Sequence, residues 1–538
     1  MSRSDYKPGV FMPIILSGIF VLGFLIGNFY NQGDSSSSIL PNSDSRSFNK
    51  LNDVMTYIDQ EYVDSIERQK LTDKLISYLL QELDPHSYYM SSEEANRMNE
   101  PLEGGFDGIG VQFRIQNDTV VVVNPVVGGP SEKLGIRAGD RIVEVDGELM
   151  AGNGVTNSKV MKMLKGPRGT KVAVGIRRNR KIDLLDFVIT RDRIPITSLD
   201  VSYMIDGKTG YIKVARFSRN TGAEFREASL TLLEAGMERL ILDLRGNGGG
   251  ILYSAAQMAD EFLADNQLIV YTEGKSRKRE NHYATSEGEL EGVKVAVLID
   301  ESSASASEII AGAIQDNDRG TIVGRRSFGK GLVQEQSNWP DGSATRLTIA
   351  RYYTPTGRCI QKPYENGTDA YNEHYLERFK NGELSSADSI PVNDTLKYTT
   401  PGGKVVYGGG GIVPDIFVPI DTSGGSRYLT ELFYSGQLYD FCFDYADQNR
   451  DGLAAYSDAQ EFINDFKITE ELLNEFVAYG ESNGVMKNEE EFMRSLDIIR
   501  LRLKAGIARN IWGDPAFYPI LNENDPAILK AVIALEEE

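Results

Sequence analysis

The chain has 538 residues, 41% hydrophobic and 25% charged, with a formal net charge of -21. That length exceeds what one hydrophobic core serves, so three or four folded domains are expected. The acidic balance argues against a nucleic-acid partner, because phosphate binding needs a basic face.

Taken from the start, Arg3 and Lys7 precede an almost uninterrupted apolar run from Val10 to Tyr30, long enough to cross a bilayer. The run ends Gly27-Asn28-Phe29-Tyr30, a poor cleavage site, so residues 1–30 read as an uncleaved signal anchor rather than a removed signal peptide. Positive charge in front of the run keeps the N-terminus in the cytoplasm and exports the rest of the chain. Residues 31–46, with a four-serine run, read as a flexible linker.

A helical region is expected over 47–103. Leu51, Val54, Met55, Ile58 and Tyr62 recur at helical spacing, as do Leu71, Leu75, Leu79 and Leu83, with Asp84-Pro85 as the stop. This apolar stripe must pack on the chain's own body or on a second subunit, which makes a homo-oligomer through these helices one expectation. From 104 to 192 the pattern turns to strands: Gly108 to Ile115, Thr119 to Asn124, Asp140 to Val145, Lys171 to Ile176 and Leu184 to Ile189. One short helix, Ser158 to Leu164, interrupts them.

Strands and helices then alternate within 193–426. Tyr211 to Ala215, Leu240 to Leu244 and Val293 to Ile299 read as strands. Thr221 with Glu224 reads as a capping box for a helix ending at Gly236, and further helices are expected over Ile251 to Leu263 and Ala306 to Gln315. Such alternation implies βαβ units and a largely parallel sheet. A polar insert occupies 364–410, and 427–538 is again mostly helical.

The chemistry-bearing residues gather in the alternating region. Ser302-Ser303-Ala304-Ser305-Ala306-Ser307-Glu308 joins an apolar strand to an apolar helix. A serine there lies at a helix N-terminus, where free N–H groups favour a developing oxyanion. Small hydroxyl residues are also the usual helix caps, so the segment alone decides nothing.

Lys330 stands between Gly329 and Gly331, flanked by Phe328, Leu332 and Val333. Burial beside apolar groups lowers a lysine pKa and yields a neutral amine able to take a serine proton, with Gln334 placed to orient it. A solvated lysine in a glycine turn is the plainer alternative. Asp243-Leu244-Arg245-Gly246-Asn247-Gly248-Gly249-Gly250 runs from strand through glycines into helix, either an oxyanion donor or a tight turn. The three histidines, His86, His282 and His374, sit in turn-like or polar stretches and suggest no Ser-His-Asp triad.

These segments, with Gly409-Gly410-Gly411-Ile412-Val413-Pro414-Asp415 and Leu83-Asp84-Pro85-His86-Ser87, resemble the C-terminal processing peptidases, or tail-specific proteases, from about residue 50 to 420. The resemblance implies a crotonase-like α/β protease core in an α/β multidomain chain, with Ser305 as nucleophile, Lys330 as general base and Gln334 as its partner. It further implies oxyanion donors at Ala306 and at Gly249 or Gly250. Gly248 stands where many relatives carry proline, which leaves the exact glycine open. No cofactor or metal is implied.

Gly108-Ile109-Gly110-Val111 resembles the carboxylate-binding loop of PDZ domains, with Ser158 to Leu164 as the groove helix and Gly139 to Gly147 as supporting sequence. A peptide C-terminus would dock there by adding a strand.

The resulting partition is an N-terminal helical region at 47–103, an inserted β-rich PDZ-like domain at 104–192, a Ser-Lys core at 193–426 and a C-terminal helical extension at 427–538. The function expected is a membrane-anchored endopeptidase acting on exported proteins with free C-termini. A catalytically silent PDZ scaffold is the competing reading. Asp447, Asn449, Asp451, Gly452 and Asp458 mimic an EF-hand loop, but position 12 is Asp and Ala455 offers no ligand, so solvated acids at a helix stop are expected instead. Cys359 and Cys442 make no disulfide framework and no zinc spacing.

Overall fold

The computed structural model describes residues 45–178 and 183–537. Residues up to Leu75 group as one compact unit and those from Ile76 onward as a second. The predicted anchor at 1–30 and most of the linker lie outside the described residues. Among the described residues, no helix is long and apolar enough to cross a membrane.

In the first unit, helix Ser45–Glu61 leads to the start of helix Arg68–Gln81, and Arg68 pairs with Asp59 at 3.7 Å across the turn. Leu51, Val54 and Tyr62, on the stripe read from sequence, are exposed.

The second unit is built on a six-stranded sheet: Leu199–Met204, Thr209–Val214, Arg239–Asp243, Lys294–Ile299, Thr321–Gly324 and Ile416–Phe417, in that spatial order. The first pair is antiparallel and the rest are parallel. Leu240, Ile241, Leu242 and Val295 to Ile299 are fully buried, because both faces of the sheet are covered. Phe225, Met258, Phe262 and Ile310, from helices Thr221–Glu234, Leu252–Asp260 and Ala306–Asp316 or their ends, pack on one face with Leu240 and Leu242. Ile528, Ala531 and Leu535 of the last helix, Pro526–Glu537, pack on the other with Ile241, Ala296 and Leu298.

The predicted Thr221–Glu224 capping box is not formed. Asn220 is the cap, so Thr221 is already helical; its hydroxyl accepts from Ser218 N, and Glu224 accepts from Ser198 N at 2.6 Å.

A second, antiparallel sheet was not anticipated. The strand Ala344–Tyr353 pairs with Tyr88–Met90, Leu268–Glu273 and Leu332–Asn338, and Glu280–Tyr283 extends the edge. His282 therefore lies on a strand. The polar insert is ordered as well, with helix Thr368–Lys380 carrying His374, and a hairpin pairing Lys397–Thr399 with Val405–Tyr407. The Lys275-to-Arg279 basic run lies between paired strands, as a hairpin tip.

Residues 111–190 form a separate antiparallel sheet with helix Asn157–Leu164 and their own apolar core of Ile109, Val120, Ile142, Val160, Val174 and Ile189. The C-terminal helices bury Phe441, Phe462, Phe476 and Leu503 together. Asp447 lies inside helix Gln437–Gln448, Asp451 in helix Arg450–Leu453, and Asp458 caps the next helix by accepting from Glu461 N; the EF-hand-like pattern is thus spread over three helices. Both cysteines are free thiols, Cys442 buried.

The helical extension touches both other parts of this unit. Arg114, on strand Val111–Gln116, meets Asp440 at 2.6 Å and lies 4.1 Å above the Phe443 ring, while Gln116 donates to Asp444 at 2.9 Å. On the core side, Asp525 accepts from Arg245 at 2.8 Å and Tyr518 donates to Asp200 at 2.7 Å.

Candidate active site

The strand Lys294–Ile299 ends at a turn that delivers Ser305 to the head of helix Ala306–Asp316. Asp300 stabilises that turn: its Oδ1 accepts from Ser302 N and Gly246 N, each at 3.0 Å. Ser303 is buried and donates to Leu244 O, and Ser307 is buried and donates to Asn247 O, so neither hydroxyl is offered outward. Ser305 is different. Its φ of 55° and ψ of -112° belong to a region that costs a non-glycine residue about 1–3 kcal/mol, a strain that persists only where the surroundings enforce it.

Glu308 is what enforces it. This fully buried carboxylate accepts from Ser305 N at 2.8 Å and Lys330 N at 2.9 Å through Oε2, and from Ser327 Oγ and Gly329 N through Oε1. Burial pushes its pKa up, and the four donors oppose that push. On the other side, the Tyr352 hydroxyl lies 3.1 Å from Ser305 O and 2.7 Å from Lys330 O. The serine and lysine segments are therefore joined twice, by one carboxylate and one phenol. Neither joint was read from sequence, although Glu308 closes the serine segment itself.

The Lys330 amine donates to Gln334 Oε1 at 2.9 Å rather than to Ser305 Oγ. Burial, then the nearby Arg346 guanidinium, lowers its pKa below the ordinary lysine value. Gln334 is aimed by the turn at Asp84-Pro85-His86-Ser87: its Nε2 donates to His86 O. Asp84 organises that turn by accepting from His86 N, Ser87 N and Ser87 Oγ at 2.7–2.9 Å. The His86 ring faces Tyr371 OH at 2.8 Å, and burial followed by the Lys330 charge lowers its pKa to about 4, so it is neutral at pH 7.

Gly249, with φ of +98°, lies against the serine: a Cβ there would sit 2.8 Å from Ser305 Cβ and 2.7 Å from Ala304 O. Its N–H donates to Asn247 Oδ1 at 2.9 Å. The Gly250 backbone bridges to Phe217. Ala306 supplies the first helical amide, one of the donors that a helix leaves without an internal partner. Behind the glycines, Asp243 is almost fully buried. Burial alone would raise its pKa, yet Arg245 and Lys213 hold it well below the carboxylate range.

Just ahead of the sheet of residues 111–190, Gly108 ends strand Gly105–Gly108, which pairs with Asp192–Pro195, and Gly110 takes φ of +75°. Ile109 is buried, with its carbonyl accepting from Ser131 Oγ, and Val111 opens a strand paired on one side only among the described residues.

Comparison with known proteins agrees with this layout. Peptidase family S41 matches residues 208–369, a PDZ domain 108–188, and a family of unknown function (DUF8443) 428–513. The carboxy-terminal-processing protease of Bartonella bacilliformis is 35% identical over 334 residues, covering 61% of this chain and 76% of that protein. The carboxy-terminal processing protease CtpA of Bacillus subtilis is 34% identical, covering 63% and 71%. Among solved structures, a photosystem II D1 C-terminal processing protease aligns at 26% identity and a TM-score of 0.37, over 70% of this chain and 87% of that one.

The α/β architecture, the family matches and the two curated relatives define a serine-type peptidase with a PDZ domain and a helical C-terminal region. The chain belongs to peptidase family S41, with the carboxy-terminal-processing proteases.

Proposed function

We propose that Ser305 is the nucleophile and Lys330 the general base of an endopeptidase that acts on exported proteins and recognises their free C-termini through the PDZ domain. The neutral Lys330 amine, oriented by Gln334, takes the Ser305 Oγ proton as the oxygen attacks the scissile carbonyl. The tetrahedral oxyanion is held by the Ala306 N–H and an amide of the glycine turn, Gly249 after release from Asn247, or Gly250. Lys330 then returns the proton to the leaving amine, and water hydrolyses the ester on Ser305 by the same route reversed.

The observation that carries this reading is the double joint between the strained Ser305 and Lys330 through Glu308 and Tyr352. The Gly108-Ile109-Gly110-Val111 loop and the unpaired edge of strand Val111–Gln116 support capture of a peptide carboxylate and its strand. The apolar run Val10 to Tyr30 supports an anchor with residues 47–538 on the exported side. The exposed Leu51, Val54 and Tyr62 support self-association through the N-terminal helices.

The test uses the full chain in detergent and an unfolded substrate with a free or an amidated C-terminus. Ser305→Ala is expected to abolish cleavage with the fold intact. Amidation is expected to lower wild-type efficiency roughly ten- to a hundredfold, the worth of charge-assisted hydrogen bonds to a carboxylate. Full activity in Ser305→Ala defeats the nucleophile assignment, and equal cleavage of the two substrates defeats C-terminal recognition.

A further inference from the structure

Beside the serine turn lies a cavity of about 380 Å³. Two of its walls belong to the reaction centre: Ala304 immediately precedes Ser305, and Gly248 immediately precedes Gly249, where an added Cβ would meet Ser305 Cβ. A peptide carbonyl placed over Ser305 therefore has a neighbouring side chain within reach of this space. The remaining apolar surface comes from Phe328, ahead of the lysine loop, and from Tyr375 of helix Thr368–Lys380. Tyr371, His374, Tyr375 and Arg378 of that helix are three and four apart, so one face of the polar insert is turned to this region.

The buried acids near the cavity are already engaged. Glu301 is held by Arg325 at 2.7 Å, and Glu383 is shared between Arg326 and Arg378. Lys362, which also lines the cavity, has no carboxylate within ion-pair distance among the described residues. Its ammonium lies about 4 Å above the Phe328 and Tyr371 rings and 3.3 Å from Tyr371 O.

We propose that this cavity receives the substrate side chain adjoining the scissile bond, accepts an aromatic or large aliphatic group, and turns away lysine and arginine. The rings and the small Ala304 and Gly248 supply apolar contact for such a group. A basic side chain would enter beside Lys362 and Arg378 with Glu301 and Glu383 already engaged, and a buried like charge is disfavoured. The inference rests on Ser305 being the nucleophile.

The experiment uses the full chain on an unfolded protein, with cleavage sites mapped by mass spectrometry. Matched peptides then carry Phe, Leu, Ala or Lys on either side of a mapped bond. At the position this cavity reads, wild type should favour Phe and Leu over Ala about tenfold in kcat/KM, within the range that hydrophobic pockets achieve. Lys should fall below Ala. Tyr375→Ala, an exposed position outside the catalytic groups, should lower the Phe-to-Ala ratio severalfold and leave the Ala peptide unchanged. Lys362→Met should bring the Lys peptide up to the Ala level.

Ratios within twofold of unity on both sides of the bond overturn the inference, as does a Phe-to-Ala ratio unmoved by Tyr375→Ala. Should Lys362→Met fail to fold, Tyr375→Ala carries the test. Cleavage retained by Ser305→Ala overturns the nucleophile assignment and this inference with it, whereas flat selectivity in an enzyme killed by Ser305→Ala removes the pocket alone.

Discussion

Replacing Glu308 by glutamine isolates the joint between Ser305 and Lys330. The carboxylate presents two oxygens to four donors, and glutamine keeps only one oxygen for one pair. Its NH2 must face either the Ser305 and Lys330 amides or Ser327 Oγ and Gly329 N. The second choice costs less, because the Ser327 hydroxyl can rotate and accept from the new NH2, leaving Gly329 N as the group without an acceptor.

A buried donor without its partner costs about 1–3 kcal/mol. The hydrogen bonds that remain lose their charge assistance, about another 1 kcal/mol. Glu308→Gln should therefore lower unfolding free energy by about 2–4 kcal/mol, read from the denaturant midpoint at unchanged slope. Because the proposed nucleophile and base are both positioned by this carboxylate, kcat on a short peptide should fall by about a hundredfold, with KM little changed. A variant within about 0.5 kcal/mol of wild type, or with kcat within about twofold, would refute the account of Glu308.

Lys330→Ala and Lys330→Arg should both be folded and inactive, since arginine stays protonated. In wild type the rate should climb with pH through a pKa below the ordinary lysine value, because the proposed mechanism uses only the neutral amine as base; a profile flat between pH 6 and 9 counts against that. His86 and His374 are held at about 4, below the 6.5 of a free histidine, so the unfolded chain binds protons first on acidification. Stability should then drop as pH falls from about 6.5 toward 4, measurable by denaturant titration at each pH. Gly249→Ala forces a methyl to 2.8 Å from Ser305 Cβ and should cost at least about a hundredfold in kcat, whereas Gly246→Ala, with nothing within 4 Å, should cost only the strain of its φ of +74°, about 1 kcal/mol of stability. Arg114→Ala should loosen the sheet of residues 111–190 from helix Gln437–Gln448, seen as faster amide exchange in that helix, and lower cleavage of long substrates severalfold without affecting short peptides.

The buried parallel strands and the helix behind Ser305 were legible because Val295 to Ile299 and Ile309 to Ile314 are apolar runs flanked by small residues, a pattern that burial on both faces imposes. Strands and helix around residues 111–190 were legible for the same kind of reason, as alternation bounded by glycines. The strand Ala344–Tyr353 was not, since only Ala344, Ala350 and Tyr352 in it are buried and its role depends on where Tyr352 points. Helix Thr368–Lys380 was missed because its inward residues include Arg378, whose burial makes sense only beside Glu383. The Thr221–Glu224 pairing looked local but lost to Ser218 and Ser198, tertiary partners that no spacing rule contains. Glu308 was in plain view as a residue, yet four donors converge on it, one from its own turn and three from residues 327–330, up to 22 positions away.

The insert also sets a limit for protein engineering. Surface loops usually shorten or accept grafts at small thermodynamic cost. Here Arg378 donates to Arg326 O and Ser327 O, and Glu383 receives the Arg326 guanidinium at 2.7 Å in the interior. Trimming the insert to a short connection would strand Arg326 as a buried cation beside the serine turn, so any minimised version of this enzyme has to redesign position 326 together with the deletion.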